Sequence, residues 1–296
     1  MNVIEIQNLT RDYGHHKGIF DVNIAIPRGE VFGFLGPNGA GKTTTIRHLM
    51  GFIKAKKGHC SIYDFDCYKD ASQIQDNLGY LAGEIVFLED LSGKKMIDFI
   101  ASMKRVKDKR RIQELMDMFE LDPKCKIKKM SKGMKQKVGI ICAFMNDPQV
   151  IILDEPTSGL DPLMQNRFIE LILAEKKREK TIFMSSHIFE EIEKTCDRAA
   201  IIKNGDIVTT ENIDTLKQQK QKYYKITFSS KEQTDHFANT TKYQVIHQEP
   251  TCITVSVPHH INEFLKALTA FDVIDLNISS QSLEDIFLRY YGGDKS

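Results

Sequence analysis

The chain has 296 residues, 41% hydrophobic and 27% charged, with a net charge of +1 at pH 7, the balance of a soluble globular protein long enough for two domains. Near-neutral charge argues against a nucleic-acid surface, and no apolar run approaches the roughly 18–20 residues that a membrane span needs. The opening residues carry Glu5 where a secretion leader would carry cations and a long apolar stretch, so a protein kept in the cytosol is expected.

In chain order, Val3–Leu9 and Gly18–Ile26 alternate apolar and polar residues and are predicted as antiparallel strands along one edge. The strand-like run Gly29–Leu35 then leads into Gly36-Pro37-Asn38-Gly39-Ala40-Gly41-Lys42-Thr43, with Thr44 following. Strand before and helix after, this is a phosphate-binding loop in its expected setting. Gly36, Gly39 and Gly41 let the backbone curl so that several N–H groups converge on one anion, with Asn38, Ala40 and Thr44 completing the cradle. Lys42 adds a point charge for the β- and γ-phosphates, and Thr43 offers a hydroxyl to Mg²⁺. The helix from Lys42 to about Met50 aims its positive end at the same place, with Ile46, Leu49, Met50 and Ile53 as its buried stripe. A bound nucleoside triphosphate is expected.

Residues 93–147 read as a helical lobe, with Val138, Ile141, Cys142 and Met145 on one buried helix face. Val150–Leu153 is an apolar strand ending in Asp154 and Glu155. In such folds a carboxylate at a strand's C-terminal end lies beside the neighbouring phosphate loop. Asp154 would then hold Mg²⁺ through water, and Glu155 would polarise an attacking water. Thr181–Met184 and Arg198–Lys203 are further buried strands. Six scattered cysteines without a Cys-x-x-Cys pair point to reduced thiols with no shared role.

The alternation of strands and helices to about residue 214 predicts an α/β domain with a mostly parallel sheet. Lys217–Lys222 is a natural linker, placing one domain at 1–216 and another at 217–296. In the second, strands Tyr223–Ser229, Gln244–Gln248, Thr251–Val257 and Val273–Ile278 enclose helices Lys231–Asn239 and His260–Ala270. That βαββαβ order suggests a small ferredoxin-like unit. A last helix, Ser282–Tyr291, opens on a serine three residues before Asp285, with Leu283, Ile286, Phe287 and Tyr290 on its apolar face.

Taken with the phosphate loop and Asp154-Glu155, four further segments resemble the ATP-binding-cassette (ABC) ATPases over residues 1 to about 214. Tyr13, in Asp12-Tyr13-Gly14, sits where that family stacks an aromatic on adenine. Ser131-Lys132-Gly133-Met134-Lys135-Gln136 is similar to its signature motif. Ser158-Gly159-Leu160-Asp161 resembles the loop joining two nucleotide sites, and Ser185-Ser186-His187 the switch histidine that contacts the γ-phosphate. The resemblance implies a P-loop NTPase with a RecA-like core, an antiparallel β subdomain and a helical subdomain. It implies that ATP and Mg²⁺ bind between two ATPase subunits, with Ser131, Lys132, Gly133, Met134 and Asp161 serving the nucleotide across the dimer.

The chain departs from the family in two places. Lys132 replaces the second signature glycine, and Met134 the usual glutamine. Lys132 is read as attracted to the nucleotide, and Lys124, Lys126, Lys128, Lys129, Lys135 and Lys137 as a solvated face. In Gly79-Tyr80-Leu81-Ala82-Gly83-Glu84 the family's Mg²⁺-touching glutamine is missing, and either Glu84 or a water takes its place. These departures, with the tail Ser282–Gly292, look like the bacterial drug- and peptide-exporter branch, exporters of the phenol-soluble modulin type included. Such subunits sit on the inner face of the cell membrane against a separate polytopic permease. The alternative is a soluble ABC ATPase acting on DNA, the ribosome or cluster assembly. About 90 residues between phosphate loop and signature leave no room for the coiled coil of the DNA-associated kind.

Overall fold

The computed structural model describes residues 1–218, 222–257 and 261–280. The chain divides into two compact units, Met1–Ile213 and Asp214–Ser296. The first runs β1 (Asn2–Asp12), β2 (Gly18–Pro27), β3 (Val31–Leu35), α1 (Lys42–Leu49), β4 (Lys57–Ile62), β5 (Phe65–Asp66), α2 (Ala71–Gln75) and β6 (Leu78–Leu81). It continues with α3 (Gly93–Met103), α4 (Arg110–Met118), a 3₁₀ turn at Ile127–Lys129, α5 (Lys132–Phe144), β7 (Val150–Asp154) and α6 (Pro162–Lys177). It closes with β8 (Thr181–Ser186), α7 (Phe189–Thr195), β9 (Arg198–Lys203) and β10 (Asp206–Asn212).

Every residue of β3, β7 and β8 is buried, as continuous apolar strands covered on both faces must be. They lie at the centre of a six-stranded sheet ordered β10-β9-β3-β8-β7-β6. Its pairings are parallel except that of β10, which folds back antiparallel on β9. The turn between them, Asn204-Gly205, has both residues at positive φ (52° and 91°), the type I′ geometry that this dipeptide favours.

β1 and β2 are antiparallel as expected, but they do not form an edge of this sheet. With β4 and β5 they make a separate sheet ordered β2-β1-β4-β5. Their inward residues, Ile4, Ile6, Leu9, Val22 and Ile26 among them, share one core with Ile46 and Leu49 of α1 and Phe34 of β3. Two helix expectations also change. α1 stops at Leu49, because Gly51 turns the chain at φ 71°, and Ile53 beyond it is only half-buried. α5 buries Gln136, Val138, Gly139, Ile140, Ile141, Ala143 and Phe144, so it is enclosed nearly all round, and Cys142 is only half-buried.

After α8 (Ile213–Gln218), the second unit holds β11 (Lys222–Phe228), α9 (Lys231–Thr240), β12 (Gln244–Glu249), β13 (Cys252–Ser256), α10 (Ile261–Leu268) and β14 (Val273–Ser280). Its sheet is antiparallel in the order β12-β13-β11-β14, the ferredoxin-like arrangement of a βαββαβ chain. Tyr224, Ile226, Phe228, Phe237, Ile253, Val255 and Phe264 form its core. The helix expected at Ser282–Tyr291 lies outside the described residues, as do residues 219–221 of the linker. Among the described residues, no helix is long and apolar enough to cross a membrane.

Candidate nucleotide site

Strand register gathers the site. Leu35 of β3 stands opposite Ser186 of β8, and Asp154 of β7 opposite Ser185. Gly36, Glu155 and His187 therefore leave the sheet together at the C-terminal ends of parallel strands, where open α/β sheets bind ligands. The Gly36 N–H donates to Ser186 O at 3.4 Å.

The phosphate loop is glycine by necessity. A Cβ at Gly36 would lie 2.4 Å from Ile202 O, and one at Gly41, at φ 117°, 2.6 Å from Ile19 Cγ2. A pocket of about 510 Å³ opens above it. Asn38, Gly39, Gly41, Lys42, Thr43 and Thr44 line its floor, with Tyr13 and Glu155 on its walls. Tyr13 is 53% exposed, and the Arg11 guanidinium lies 5.1 Å from its ring centroid. Its exposure suits a ring that stacks on a base.

Lys42 is buried, and its Nζ donates to Gly36 O at 2.6 Å and Pro37 O at 3.2 Å. The same Nζ stands 3.0 Å from Glu155 Oε1, a charge contact without hydrogen-bond alignment, since Oε1 has no hydrogen-bond partner. Glu155 Oε2 lies 2.6 Å from His187 Nδ1. Lys42, Glu155 and His187 thus stand in line at the pocket's inner edge. Glu155 holds φ at 50°, a strained backbone for a side chain of this kind. Its N–H donates to both the carbonyl and the hydroxyl of Ser185, at 3.2 and 3.1 Å.

Asp154 accepts a hydrogen bond from Ser185 Oγ at 2.6 Å on Oδ1. Its Oδ2 is buried without a hydrogen-bond partner. Burial pushes its carboxyl above the usual range, opposed by the Ser185 and Thr43 hydroxyls. A buried carboxylate oxygen with spare lone pairs beside a threonine hydroxyl fits a hard divalent cation, so the donor set suits Mg²⁺. Glu84 does not join it: the side chain is exposed, and Gly83 is the residue packed on Asp154, where a Cβ would meet Oδ2 at 3.1 Å.

The signature residues are elsewhere. Ser131 caps α5, its Oγ accepting from Met134 N at 3.2 Å, and Asp161 caps α6 by accepting from Met164 N at 3.0 Å. Neither they nor Lys132, Gly133 and Met134 line the nucleotide pocket. Lys132 Nζ instead donates to Ser158 Oγ at 2.8 Å. A Cβ at Gly133 would lie 2.6 Å from Gly159 O, so the signature turn and the Ser158–Asp161 loop are packed together. Lys124, Lys126, Lys128 and Lys129 are exposed.

Sequence reading missed several contributors. His16, Lys17 and Asn204 line the pocket, and of these only Asn204 had a local signal, its Asn-Gly turn. Gln136 is buried in α5 and its Nε2 donates to Pro156 O at 2.7 Å, binding the signature helix to the residue after Glu155. A glutamine in a lysine-rich helix turn gave no warning of that.

Fold and site together define a phosphate-loop nucleotide-binding cassette. The ABC transporter family profile matches residues 19–158. Bacitracin transport ATP-binding protein BcrA of Bacillus licheniformis is 34% identical, over 98% of each chain. The uncharacterized ABC transporter ATP-binding protein YhcH of Bacillus subtilis is 31% identical, over 99% of this chain and 97% of its own. A solved ATP-binding subunit of an ABC transporter shares 30% identity at a TM-score of 0.66, over 73% of this chain and 92% of its own. The ATP-binding cassette MJ0796, solved as a dimer with ADP and Pi, shares the fold at a TM-score of 0.64 and 21% identity, over 71% of this chain and 98% of its own. The chain belongs to the ATP-binding proteins of ABC transporters, and it is an ATPase whose hydrolysis is coupled to transport.

Proposed function

We propose that this chain powers export of a peptide, drug or lipid-like compound, working as one of two ATPase subunits on a separate membrane permease at the inner face of the membrane. The observation that carries the reading is the end-to-end likeness to the bacitracin transport protein. It includes the region beyond Ile213, where the solved cassettes cover only about three quarters of the chain.

Two features of the structure support the partners. The signature residues stand outside the pocket of their own chain, so a second cassette presenting Ser131, Gly133 and the start of α5 would cover the pocket's open side. An apolar groove of about 310 Å³ lies between β6 and the helical region, lined by Phe52, Tyr80, Ile85, Val86 and Phe87, with Val86 91% exposed. Such a groove suits a short amphipathic segment of a permease. The loop that forms its wall contains Gly83, which touches Asp154, so a partner in the groove is one loop away from the metal carboxylate.

Bound ATP with Mg²⁺ supplies the phosphoanhydride bond and its charge. The phosphate-loop N–H groups and Lys42 would hold the terminal phosphates, and Thr43 and Asp154 would hold the cation. Glu155 takes the proton of the attacking water, and His187 positions the γ-phosphate against it. Tagged Glu155→Gln protein with ATP, recovered from detergent-solubilised cells and read by mass spectrometry, tests the assignment. A polytopic membrane protein encoded as a separate chain is expected. Soluble partners alone, such as ribosomal or DNA-bound proteins, would overturn the reading.

A further inference from the structure

Glu191, on α7, is an acid with no evident reason to be buried, yet it is only 4% exposed. Its Oε2 accepts from Ser186 Oγ at 2.6 Å, and that hydroxyl accepts from Ile188 N at 3.0 Å. Ser186 and Ile188 flank His187. On the preceding residue, Ser185 Oγ donates to Asp154 and accepts from Glu155 N. Two serine–carboxylate bonds therefore tie down the backbone that presents the histidine. The second oxygen of Glu191, Oε1, is buried without a hydrogen-bond partner. An apolar residue at 191 would avoid the cost of burying a carboxylate, so packing does not explain the choice.

We infer that Glu191 is a positioning residue for ATP hydrolysis: it fixes His187 through Ser186. This rests on His187 acting at the γ-phosphate as proposed above. Burial pushes the Glu191 carboxyl up to about 7, the charge of Glu155 adding to the rise and the Ser186 and Thr157 hydroxyls opposing it. The charged neighbours on the surrounding elements are mostly engaged with one another. On α7, Lys194 holds Glu190; Lys176 of α6 pairs with Asp197 ahead of β9; Lys42 and His187 both face Glu155. Next along from α7, Cys196 has its thiol raised chiefly by burial, to about 12, with Glu191 contributing. Glu155 is the acid that presses on Glu191.

The test compares steady-state ATP hydrolysis by Glu191→Ala, Glu191→Gln, Ser186→Ala and the double variant Ser186→Ala/Glu191→Ala, with His187→Ala as reference and thermal melting to confirm folding. Glu191→Ala and Ser186→Ala are each expected to lower kcat by about ten- to a hundredfold with KM little changed, as misplacement of a catalytic group does. The double variant should be no slower than the slower single one, because both break one linkage. Glu191→Gln keeps an acceptor for Ser186, so it should retain most of the rate that Glu191→Ala loses. Normal kcat in Glu191→Ala beside a slow His187→Ala, or losses that add in the double variant, would overturn the inference. His187→Ala at the wild-type rate would remove the histidine's own role, and the positioning role with it, a result distinguishable from the first.

Discussion

The two units bury different chemistry. The cassette hides Lys42, Gln136, Asp154, Thr157, Ser185, Ser186 and Glu191 around one end of a parallel sheet, whereas the buried polar side chains described in the second unit are Thr234 and Ser256, beneath a core of Tyr224, Phe228, Phe237 and Phe264. Buried polar groups cost stability unless bonded, and in the cassette Asp154 and Glu191 each bury a carboxylate oxygen with no partner. The cassette is therefore organised around a ligand, and the second unit around packing. Damage to the first should appear in turnover before stability, and damage to the second in the opposite order.

The strongest test of that contrast is Glu155→Gln. It should slow hydrolysis by roughly 10²- to 10⁴-fold while ATP still binds, because shape is kept and the base removed; unchanged turnover would falsify the role of Glu155. Phe264→Ala probes the other side. Deleting a fully buried ring should destabilise the second unit by about 3–5 kcal/mol, read as an early transition in denaturant unfolding while nucleotide binding at the cassette persists. Simultaneous loss of both would show that the units do not differ as described.

A third experiment uses pH. The Glu191 carboxyl is raised from 4.5 to about 7 on folding, so the folded state binds its proton more tightly. The resulting stability is fully present below about pH 4.5 and is lost as pH rises through about 7, by up to about 3 kcal/mol. Glu191→Gln should flatten that part of the melting-temperature profile, and an identical decline in the variant would refute it. The smallest effect is expected at the half-exposed rim. Tyr13→Ala should weaken ATP affinity by about 0.5–1.5 kcal/mol through lost stacking, and unchanged affinity in a titration would sink the assignment.

The site was legible where chemistry is written in contiguous residues. Gly36–Thr43 and Asp154-Glu155 each carry strand, turn and functional group in one run, and the structure brings them to one sheet end. Less legible was whatever depends on register. The β4–β5 hairpin was missed because Lys57-Gly58-His59 opens it with a polar, glycine-broken stretch and its turn, Tyr63-Asp64, is at positive φ without a glycine. The edge strand β10 was missed as well. Glu191 bonds Ser186, five residues back across a strand end, and Gln136 bonds the Glu155 and Pro156 carbonyls about twenty residues on, and no motif marks either partner. Between Glu84 and a water for the missing glutamine's place, position alone does not choose; the structure turns Glu84 to solvent and sets Gly83 against Asp154.

The left-handed backbone of Glu155 bears on the evolution of this chain. A glycine there would relieve about 1–2 kcal/mol of steric strain and remove the carboxylate proposed as the base, together with its contacts to Lys42 and His187. Strain of this kind is retained where the side chain it presents is needed. Glu155→Gly should therefore melt at a temperature close to that of the parent chain while losing turnover, which separates the strain at this position from the use made of its carboxylate.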